Sequence, residues 1–267
     1  MNDTQVKQFG REGFLILRGA IPESSLDALR MALFVMARKG EPGRVDQSLS
    51  DVIEMLEKRN HGMVYTLQKA IATSFTALQV LTDLKLASLH SQLYDVPEAN
   101  VHTHLFQAPI QFPGDQRYDF SWHQESGSYS HTSKILTCWF PVLGPVNRER
   151  GSTELIPGSH VHGKREARHH VKDSGLNDWT VMPEPDELRR SVIAEMKPGD
   201  ILLFDSDLVH RSVANCSKSI RITGIARTVD ICGGAEITAL AEPGNYFEKT
   251  MNRDLSRSQV SAPEERR

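Results

Sequence analysis

The spacing of apolar residues changes along the chain, and this change limits the folds that the sequence can adopt. Residues 22–94 carry apolar side chains at helical spacing, for example Leu26, Leu29 and Leu33. Residues 100–232 instead contain short runs rich in β-branched and aromatic residues, separated by turn sequences such as Pro113-Gly114-Asp115. Helices followed by many short strands predict an α+β protein in which helices cover one face of a sandwich or barrel.

Several individual elements can be predicted from the same patterns. The run Phe14-Leu15-Ile16-Leu17 predicts a buried strand, and helices are predicted from Pro22 to near Gly40 and around residues 52–56 and 75–84, with Asn60 and Gly62 between the last two. Strands are predicted at residues 101–110, 134–142, 191–196, 201–204 and 219–230. We expect one domain over residues 1–255, with a polar, disordered tail at 256–267.

Composition excludes two classes of partner. The chain has 31 Lys and Arg residues against 34 Asp and Glu residues, a formal charge of −3, so it lacks the basic surplus that nucleic acid requires. Its longest apolar run, residues 31–37, is far shorter than the roughly 20 residues of a membrane-spanning helix. The N-terminus has no signal or transit pattern, and the three cysteines include no Cys-x-x-Cys pair. We therefore expect a cytoplasmic protein without disulfides or a thiolate zinc site.

One stretch carries residues that suit a metal site. In Ser121-Trp122-His123-Gln124-Glu125, a strand would place His123 and Glu125 on one face, with Cα atoms about 6.6 Å apart. His210, shortly after the apolar run 201–204, offers a third ligand. Two histidines and one carboxylate on a β scaffold form the facial triad of non-haem Fe(II) oxygenases. A His-x-Glu pair by itself is also a common coincidence on an exposed strand.

Two further features bear on this hypothesis. Arg221 lies on a predicted strand, where a guanidinium that points into a barrel needs an anionic partner such as a dicarboxylate cosubstrate. A solvent-facing arginine on an edge strand is the simpler alternative. His102 and His104 form a second pair with i, i+2 spacing, which leaves open a different metal site of the kind that cupins use.

Five segments, taken in order, resemble the phytanoyl-CoA dioxygenase family of Fe(II)- and 2-oxoglutarate-dependent oxygenases, over most of residues 8–230. The family is built on a double-stranded β-helix, a jelly-roll or cupin-like core, here with N-terminal helices (22–94) packed on one face of the β core (100–232). The segments are Gly13-Phe14-Leu15-Ile16-Leu17-Arg18-Gly19, Trp122-His123-Gln124-Glu125, Gly151-Ser152-Thr153-Glu154-Leu155-Ile156-Pro157-Gly158-Ser159-His160, Pro198-Gly199-Asp200, and His210-Arg211-Ser212 through Arg221.

The resemblance implies a role for each matching residue. It makes His123, Glu125 and His210 the Fe(II) ligands, and Arg221 with Ser212 the contacts of the distal 2-oxoglutarate carboxylate. It also brings three residues near the cosubstrate: Gln124, Trp139 and Gln107. Trp139 is equally well explained as a core aromatic. The chain departs from the family in one ligand, since Glu125 stands where Asp is usual; because a carboxylate is present, hydroxylation is favoured over halogenation.

The function that follows is hydroxylation of a small-molecule metabolite by O2, with release of succinate and CO2. The same cofactors, Fe(II) and 2-oxoglutarate, would also serve desaturation, cyclisation or epimerisation, and the ligand residues do not distinguish these outcomes. A third hypothesis is a cupin-like protein that binds a metal or ligand without oxygenase activity. The sequence indicates neither the substrate nor the oligomeric state, and fold analogy alone would not supply either.

Overall fold

Helices come first along the chain and strands second, as the apolar pattern predicts. The computed structural model describes residues 1–38, 47–128, 134–172 and 177–232. The α-helices of these residues are α1 (Asp3–Glu12), α2 (Glu23–Arg38), α3 (Leu49–Arg59), α4 (His61–Ala72), α5 (Phe75–Asp83), α6 (Leu86–Tyr94) and α7 (Pro185–Leu188). The helix end expected at Gly40 and the tail at 256–267 lie outside the described residues.

Helix α4 lies between the two helices predicted around residues 52–56 and 75–84, where no separate helix was predicted. The side chain of Asn60 accepts a hydrogen bond from the backbone N–H of Gly62 at 3.0 Å, so Asn60 is the N-cap of α4 rather than part of a connection. Helix α1 was not predicted either, because most of its side chains are polar and Phe9 is its one buried residue. Its start is fixed instead by a capping box between Asn2 and Gln5.

The strands form two antiparallel sheets and a separate hairpin. They are β1 (Phe14–Leu17), β2 (Val101–Gln107), β3 (Ile110–Gln111), β4 (Ile135–Leu143), β5 (Thr153–Leu155), β6 (Arg168–Val171), β7 (Asn177–Thr180), β8 (Val192–Ile193), β9 (Ile201–Asp205), β10 (His210–Ser212) and β11 (Arg221–Asp230). The major sheet has the order β1-β9-β4-β11-β2, with β3 beside β11; the minor sheet has the order β10-β5-β8, and β6 pairs with β7. The strand predicted at 191–196 is shorter than expected, since Met196 makes only an isolated bridge to Val146.

The major sheet separates two apolar layers. On β11, Ile222 and Ala226 belong to the large core under the helices, whereas Ile225 packs against the smaller core between the two sheets. Trp139 of β4 and Leu155 of β5 belong to that inner core as well, so the sheets pack face to face. Side chains alternate along β11, and Arg221 and Arg227 therefore face the interior between the sheets together with Ile225.

Two expectations from composition can be compared with the structure. No helix of the described residues is long and apolar enough to cross a membrane. All three cysteines are free; Cys138 is buried in the core, whereas Cys216 and Cys232 are exposed.

Gly224 lies in the middle of β11, where a Cβ atom would overlap the ring of Phe140 on the neighbouring strand β4. We predict that Gly224→Ala lowers the free energy of unfolding by about 1–3 kcal/mol, because the ring or the strand has to move. Gly10→Ala in α1 is the matched control, since nothing lies within 4 Å of its added methyl group. Urea denaturation measures both changes; equal stabilities of the two variants would contradict the prediction.

A buried histidine joins α6 to the major sheet. The side chain of His90 has no solvent exposure, and its Nδ1 lies 2.8 Å from the hydroxyl of Thr228 on β11. Burial lowers the pKa of His90 to about 4, although Asp230 on the same strand opposes the shift. Tyr94 stacks beside the imidazole and donates a hydrogen bond to Asp205. His90 is therefore neutral in the folded protein at neutral pH.

Acid is expected to destabilise the protein through this histidine. In the unfolded chain this histidine has a pKa near 6.5, whereas folded His90 stays neutral down to about pH 4. Between these two pH values only the unfolded state binds the proton, so the free energy of unfolding falls as the pH drops from about 6.5 to 4. The contribution amounts to roughly 3 kcal/mol. His90→Gln should lose this part of the slope, as measured by chemical denaturation from pH 7 to 4.5. An unchanged slope in the variant would show that His90 does not contribute.

Candidate metal centre

Three side chains from two segments distant in sequence meet between the two sheets. His123, Glu125 and His210 each offer a ligand atom, and these atoms lie within 4.8 Å of one another. Among the described residues, this is the group of three such side chains that could hold a metal ion. His210 begins β10 of the minor sheet, and His123 forms an antiparallel bridge to it through two backbone hydrogen bonds of 2.8 and 3.0 Å. The backbone pairing therefore brings the two imidazoles together, with ring centroids 4.2 Å apart.

The local geometry differs from the one predicted for the His-x-Glu pair. His123 lies in an isolated bridge instead of a continuous strand, and Glu125 begins a 3-10 helix over Glu125–Ser128. The strand-face argument for placing the two residues together was therefore wrong, although the two side chains do converge. The turn of the 3-10 helix carries Glu125 towards His210, where its Oε1 lies 3.7 Å from Nε2 of the imidazole.

Each imidazole is oriented by a carbonyl two residues earlier. Nδ1 of His123 lies 2.7 Å from the carbonyl oxygen of Ser121, and Nδ1 of His210 lies 2.9 Å from that of Leu208. A carbonyl oxygen can only accept a hydrogen bond, so in each ring Nδ1 carries the proton and donates it. Both Nε2 atoms then present lone pairs, which is the tautomer that a metal ligand requires.

The charges at the site also suit a cation. Burial, with the neighbouring His210, lowers the pKa of His123 to about 4 and keeps this ring neutral. Burial by itself would raise the pKa of Glu125, but the guanidinium of Arg227 and the two imidazoles outweigh it and hold that pKa well below its usual range. A neutral imidazole and an ionised carboxylate thus face each other near neutral pH.

Arg227 was not among the residues singled out from the sequence. It lies on β11, and its Nη2 donates a hydrogen bond of 2.5 Å to Oε1 of Glu125, with both side chains largely buried. One signal could have found it: Arg221 and Arg227 are six residues apart on one predicted strand, an even spacing that puts both on the same face. The sequence does not show which of the two would meet a carboxylate.

Arg221 is also buried, with 6% of its surface exposed, but its surroundings differ from those of Arg227. Its described side-chain hydrogen bond goes from Nη1 to the carbonyl of Val213 at 3.3 Å, and it forms no ion pair with a described carboxylate. Burial lowers the pKa of Arg221 to about 10, partly offset by the charge of Asp119. A Cβ atom at Gly151 would overlap the guanidinium, so this glycine leaves it space.

The other predicted cosubstrate contacts fall in different places. Ser212 lies on β10 two residues after His210, hence on the same face of the strand. Trp139 and Gln107 flank Ile225 in register across β4, β11 and β2; Trp139 belongs to the inner core, and Gln107 is exposed. All three residues therefore lie on the inner faces of the two sheets.

Gln124 points away from the triad, in contrast to the prediction. Its amide is fully buried and used by backbone: Nε2 donates to the carbonyls of Gly163 and Asp207 at 2.9 and 2.6 Å, and Oε1 accepts from the N–H of Arg165 at 2.7 Å. Both N–H groups of the amide are thus engaged, and neither is left to donate to a cosubstrate carboxylate. Gln124 instead fastens the ligand segment to two neighbouring loops.

The rival histidine pair is not part of the triad. His102 lies exposed on β2, in register with Val229 of β11. His104 lies on the same strand, but its side chain is outside the described part of the structure.

Comparison with known proteins gives concordant results. The model of the phytanoyl-CoA dioxygenase (PhyH) family matches residues 9–223. An ectoine dioxygenase of Bordetella parapertussis is 25% identical over 232 residues, which cover 80% of this chain and 70% of the relative. Among solved structures, EvdO2 from Micromonospora carbonacea var. aurantiaca in complex with 2-oxoglutarate superposes with a TM-score of 0.61 at 18% identity, covering 86% of this chain and 91% of that one.

The epimerase SnoN, solved with Fe3+, alpha ketoglutarate and nogalamycin RO, gives a TM-score of 0.60 at 16% identity, with 85% and 83% of the two chains covered. These similarities confirm the predicted α+β fold with a double-stranded β-helix core. Since the family model covers most of the chain, including helices α2–α7 and all three residues of the triad, the chain belongs to the phytanoyl-CoA dioxygenase family of Fe(II)- and 2-oxoglutarate-dependent oxygenases.

Proposed function

We propose that His123, Glu125 and His210 hold Fe(II), that Arg221 and Ser212 bind the distal carboxylate of 2-oxoglutarate, and that the chain hydroxylates a small-molecule metabolite. The products besides the hydroxylated substrate would be succinate and CO2. The observation that carries the proposal is the convergence of two imidazoles and one carboxylate, with ligand atoms within 4.8 Å of one another, inside a β fold of this family.

The donor set fits ferrous iron. Two imidazole nitrogens and one carboxylate form a ligand set typical of non-haem Fe(II) oxygenases, and it leaves coordination positions for other molecules. The carbonyls of Ser121 and Leu208 accept hydrogen bonds from the two ligand histidines. These bonds fix the orientation of each ring and the nitrogen that carries its proton. Among the described residues, the group of three that could hold a metal ion contains these two histidines and not His102, which favours this centre over a cupin-like site on β2.

Arg221 suits the far carboxylate of the cosubstrate. A buried guanidinium without a carboxylate partner is costly, and a dicarboxylate would supply that partner through a bidentate pair. Ser212 can donate its hydroxyl proton to the same group, because it extends from β10 on the face that also carries His210. Arg221 and Ser212 would therefore select a ligand with a second, distant carboxylate.

The remaining residues orient the site and keep water out. Iron, together with 2-oxoglutarate and O2, supplies the oxidising chemistry, which the protein only positions. Phe204 packs against His210 with ring centroids 4.6 Å apart, and Phe120 lies 5.8 Å from the ring of His123. We assign Trp139 and Gln107 to the wall of the cosubstrate and substrate cavity, because both extend from the inner face beside Ile225.

The outcome of the oxidation has one specific rival. SnoN, which shares the fold, is described as an epimerase, and the same ligands and cofactors would serve epimerisation. Hydroxylation is the outcome we adopt, since a matching relative is named a dioxygenase; the ligand residues themselves do not distinguish the two outcomes. Metabolite fractions that stimulate succinate formation would identify the substrate, and a product that gains one oxygen atom from labelled O2 would distinguish hydroxylation from epimerisation, desaturation or cyclisation.

Removing one imidazole should abolish the metal complex. With Fe(II) and 2-oxoglutarate added under anaerobic conditions, the wild-type protein is expected to develop a weak visible charge-transfer band, and His123→Ala should lose it because one of the three ligands is missing. His102→Ala is the matched control and should retain the band. The opposite pattern, with the band lost in His102→Ala and kept in His123→Ala, would support the cupin-like alternative.

Removing Arg221 should affect the cosubstrate rather than the metal. We expect Arg221→Met to raise the dissociation constant of 2-oxoglutarate about 10- to 100-fold, because the variant loses a hydrogen-bonded pair between charged groups. Titration of 2-oxoglutarate at saturating Fe(II), followed by the charge-transfer band, measures this constant. Arg211→Met is a suitable control, because that guanidinium faces Glu154 and Trp122 on the other side of β10. Unchanged binding in Arg221→Met would refute the assignment.

A further inference from the structure

The contact between Arg227 and Glu125 has no place in the family resemblance or in the ligand set. Nη2 of Arg227 lies 2.5 Å from Oε1 of Glu125, and the exposed fractions of the two side chains are 12% and 10%. The same Oε1 atom lies 3.7 Å from Nε2 of His210. The guanidinium therefore binds the carboxylate oxygen that faces the imidazole of His210.

Arg227 extends from a rigid part of the fold. It lies within β11, which is flanked by β4 on one side and β2 on the other, and its neighbour in register on β4 is the fully buried Thr137. Glu125, in contrast, starts the short 3-10 helix Glu125–Ser128, which belongs to no sheet. The contact thus links a ligand on a connecting segment to a strand of the major sheet that is paired on both sides.

The chemistry of glutamate explains why such a link is useful. Glutamate has one methylene and one rotatable bond more than the aspartate that is usual at this position, so ordering its carboxylate costs more side-chain entropy. The planar guanidinium of arginine is pre-organised for carboxylates and loses comparatively little freedom in each hydrogen bond. A buried carboxylate also requires a charged or hydrogen-bonding partner, which Arg227 supplies.

We propose that Arg227 is a positioning residue that fixes the carboxylate of Glu125 within the triad and thereby compensates for the longer side chain. The inference rests on the proposed role of Glu125 as an iron ligand. It concerns how the ligand is held rather than which residues coordinate, and it assigns no contact between Arg227 and the metal or the substrate.

Two possible roles of Arg227, as a nearby charge and as a positioning residue, predict opposite changes in metal affinity when the residue is removed. A guanidinium repels a nearby divalent cation, so its loss would tighten metal binding if charge were its main contribution. If Arg227 orients the ligand, its loss weakens metal binding, as is usual for partners of ligating side chains. Metal affinity in the absence of 2-oxoglutarate is therefore the informative measurement.

Calorimetric titration of the full-length chain with Mn(II), without 2-oxoglutarate, tests the proposal. Arg227→Met should weaken Mn(II) binding about 10- to 100-fold, and Arg227→Gln should recover part of the loss, because its amide can donate a hydrogen bond to the carboxylate. Arg211→Met is the control, because it removes a guanidinium that pairs with Glu154 and not with Glu125, so its Mn(II) affinity should stay close to wild type. Unchanged or tighter binding in both Arg227 variants would overturn the proposal.

A double-mutant cycle shows whether Arg227 acts through Glu125. In a Glu125→Asp background the carboxylate is one methylene farther from Arg227, so adding Arg227→Met should change Mn(II) affinity much less than it does in the wild type. An effect of equal size in both backgrounds would also overturn the proposal. Circular dichroism verifies that each variant is folded, and Arg227→Gln serves the test if Arg227→Met does not fold.

His210→Ala separates this inference from the proposed function. Loss of Mn(II) binding in His210→Ala, combined with undiminished binding in the Arg227 variants, would refute only the positioning role. Wild-type affinity in His210→Ala would instead refute the ligand set on which both conclusions depend.

Discussion

The antiparallel pairing of His123 with His210 is the interaction on which the site depends. Two backbone hydrogen bonds of 2.8 and 3.0 Å connect a segment without regular strand structure to the first residue of β10. Because the peptide groups are paired, the positions of both Cα atoms are set before any side chain is considered. Each ring is then fixed by a carbonyl two residues earlier in its own segment, so the same local arrangement occurs twice at one centre.

Strand β11 carries two buried arginines, Arg227 and Arg221, which have different partners. Arg227 is engaged with a carboxylate of the protein, and the ion pair is complete without any ligand. Arg221 has one described side-chain hydrogen bond, to a carbonyl, and a pKa lowered by burial. A buried charge is costly without a partner, and the described residues supply a carboxylate to Arg227 but not to Arg221. This difference is the reason for proposing a bound anion at Arg221 and a structural role for Arg227.

The sequence predicts the elements whose stability comes from strong apolar patterns. Strands β4, β9 and β11 lie close to their predicted limits, since each is rich in β-branched or apolar residues and paired on both sides. Helix α1 and helix α4 depend on side-chain caps at Asn2 and Asn60, a signal that apolar periodicity does not contain. For such elements, the capping residue is more informative than the hydrophobic pattern.

For the candidate site too, some features could be predicted from the sequence and others could not. The identities of His123, Glu125 and His210 could be predicted from residue type, spacing and resemblance, because their chemistry is specific. Their geometry could not, since a period of two residues presupposes a continuous strand and the chain turns into a 3-10 helix at Glu125. Residue type likewise does not indicate that the amide of Gln124 bonds to backbone groups of two loops.

The Pro157-Gly158-Ser159 segment resembles the family but carries no metal ligand, and it helps to hold His210 in place. The hydroxyl of Ser159 accepts a hydrogen bond of 2.8 Å from the N–H of Val209, the residue directly before the ligand. The neighbouring Gly158 donates its N–H to the carbonyl of Glu12 at the end of α1, and so anchors this loop to the N-terminal helix. Position errors of the order of 1 Å matter at a metal site, so loops that brace the ligand strand are required as much as the ligands. This requirement explains in physical terms why the Pro-Gly-Ser segment belongs to the recognisable pattern although it lies outside the triad.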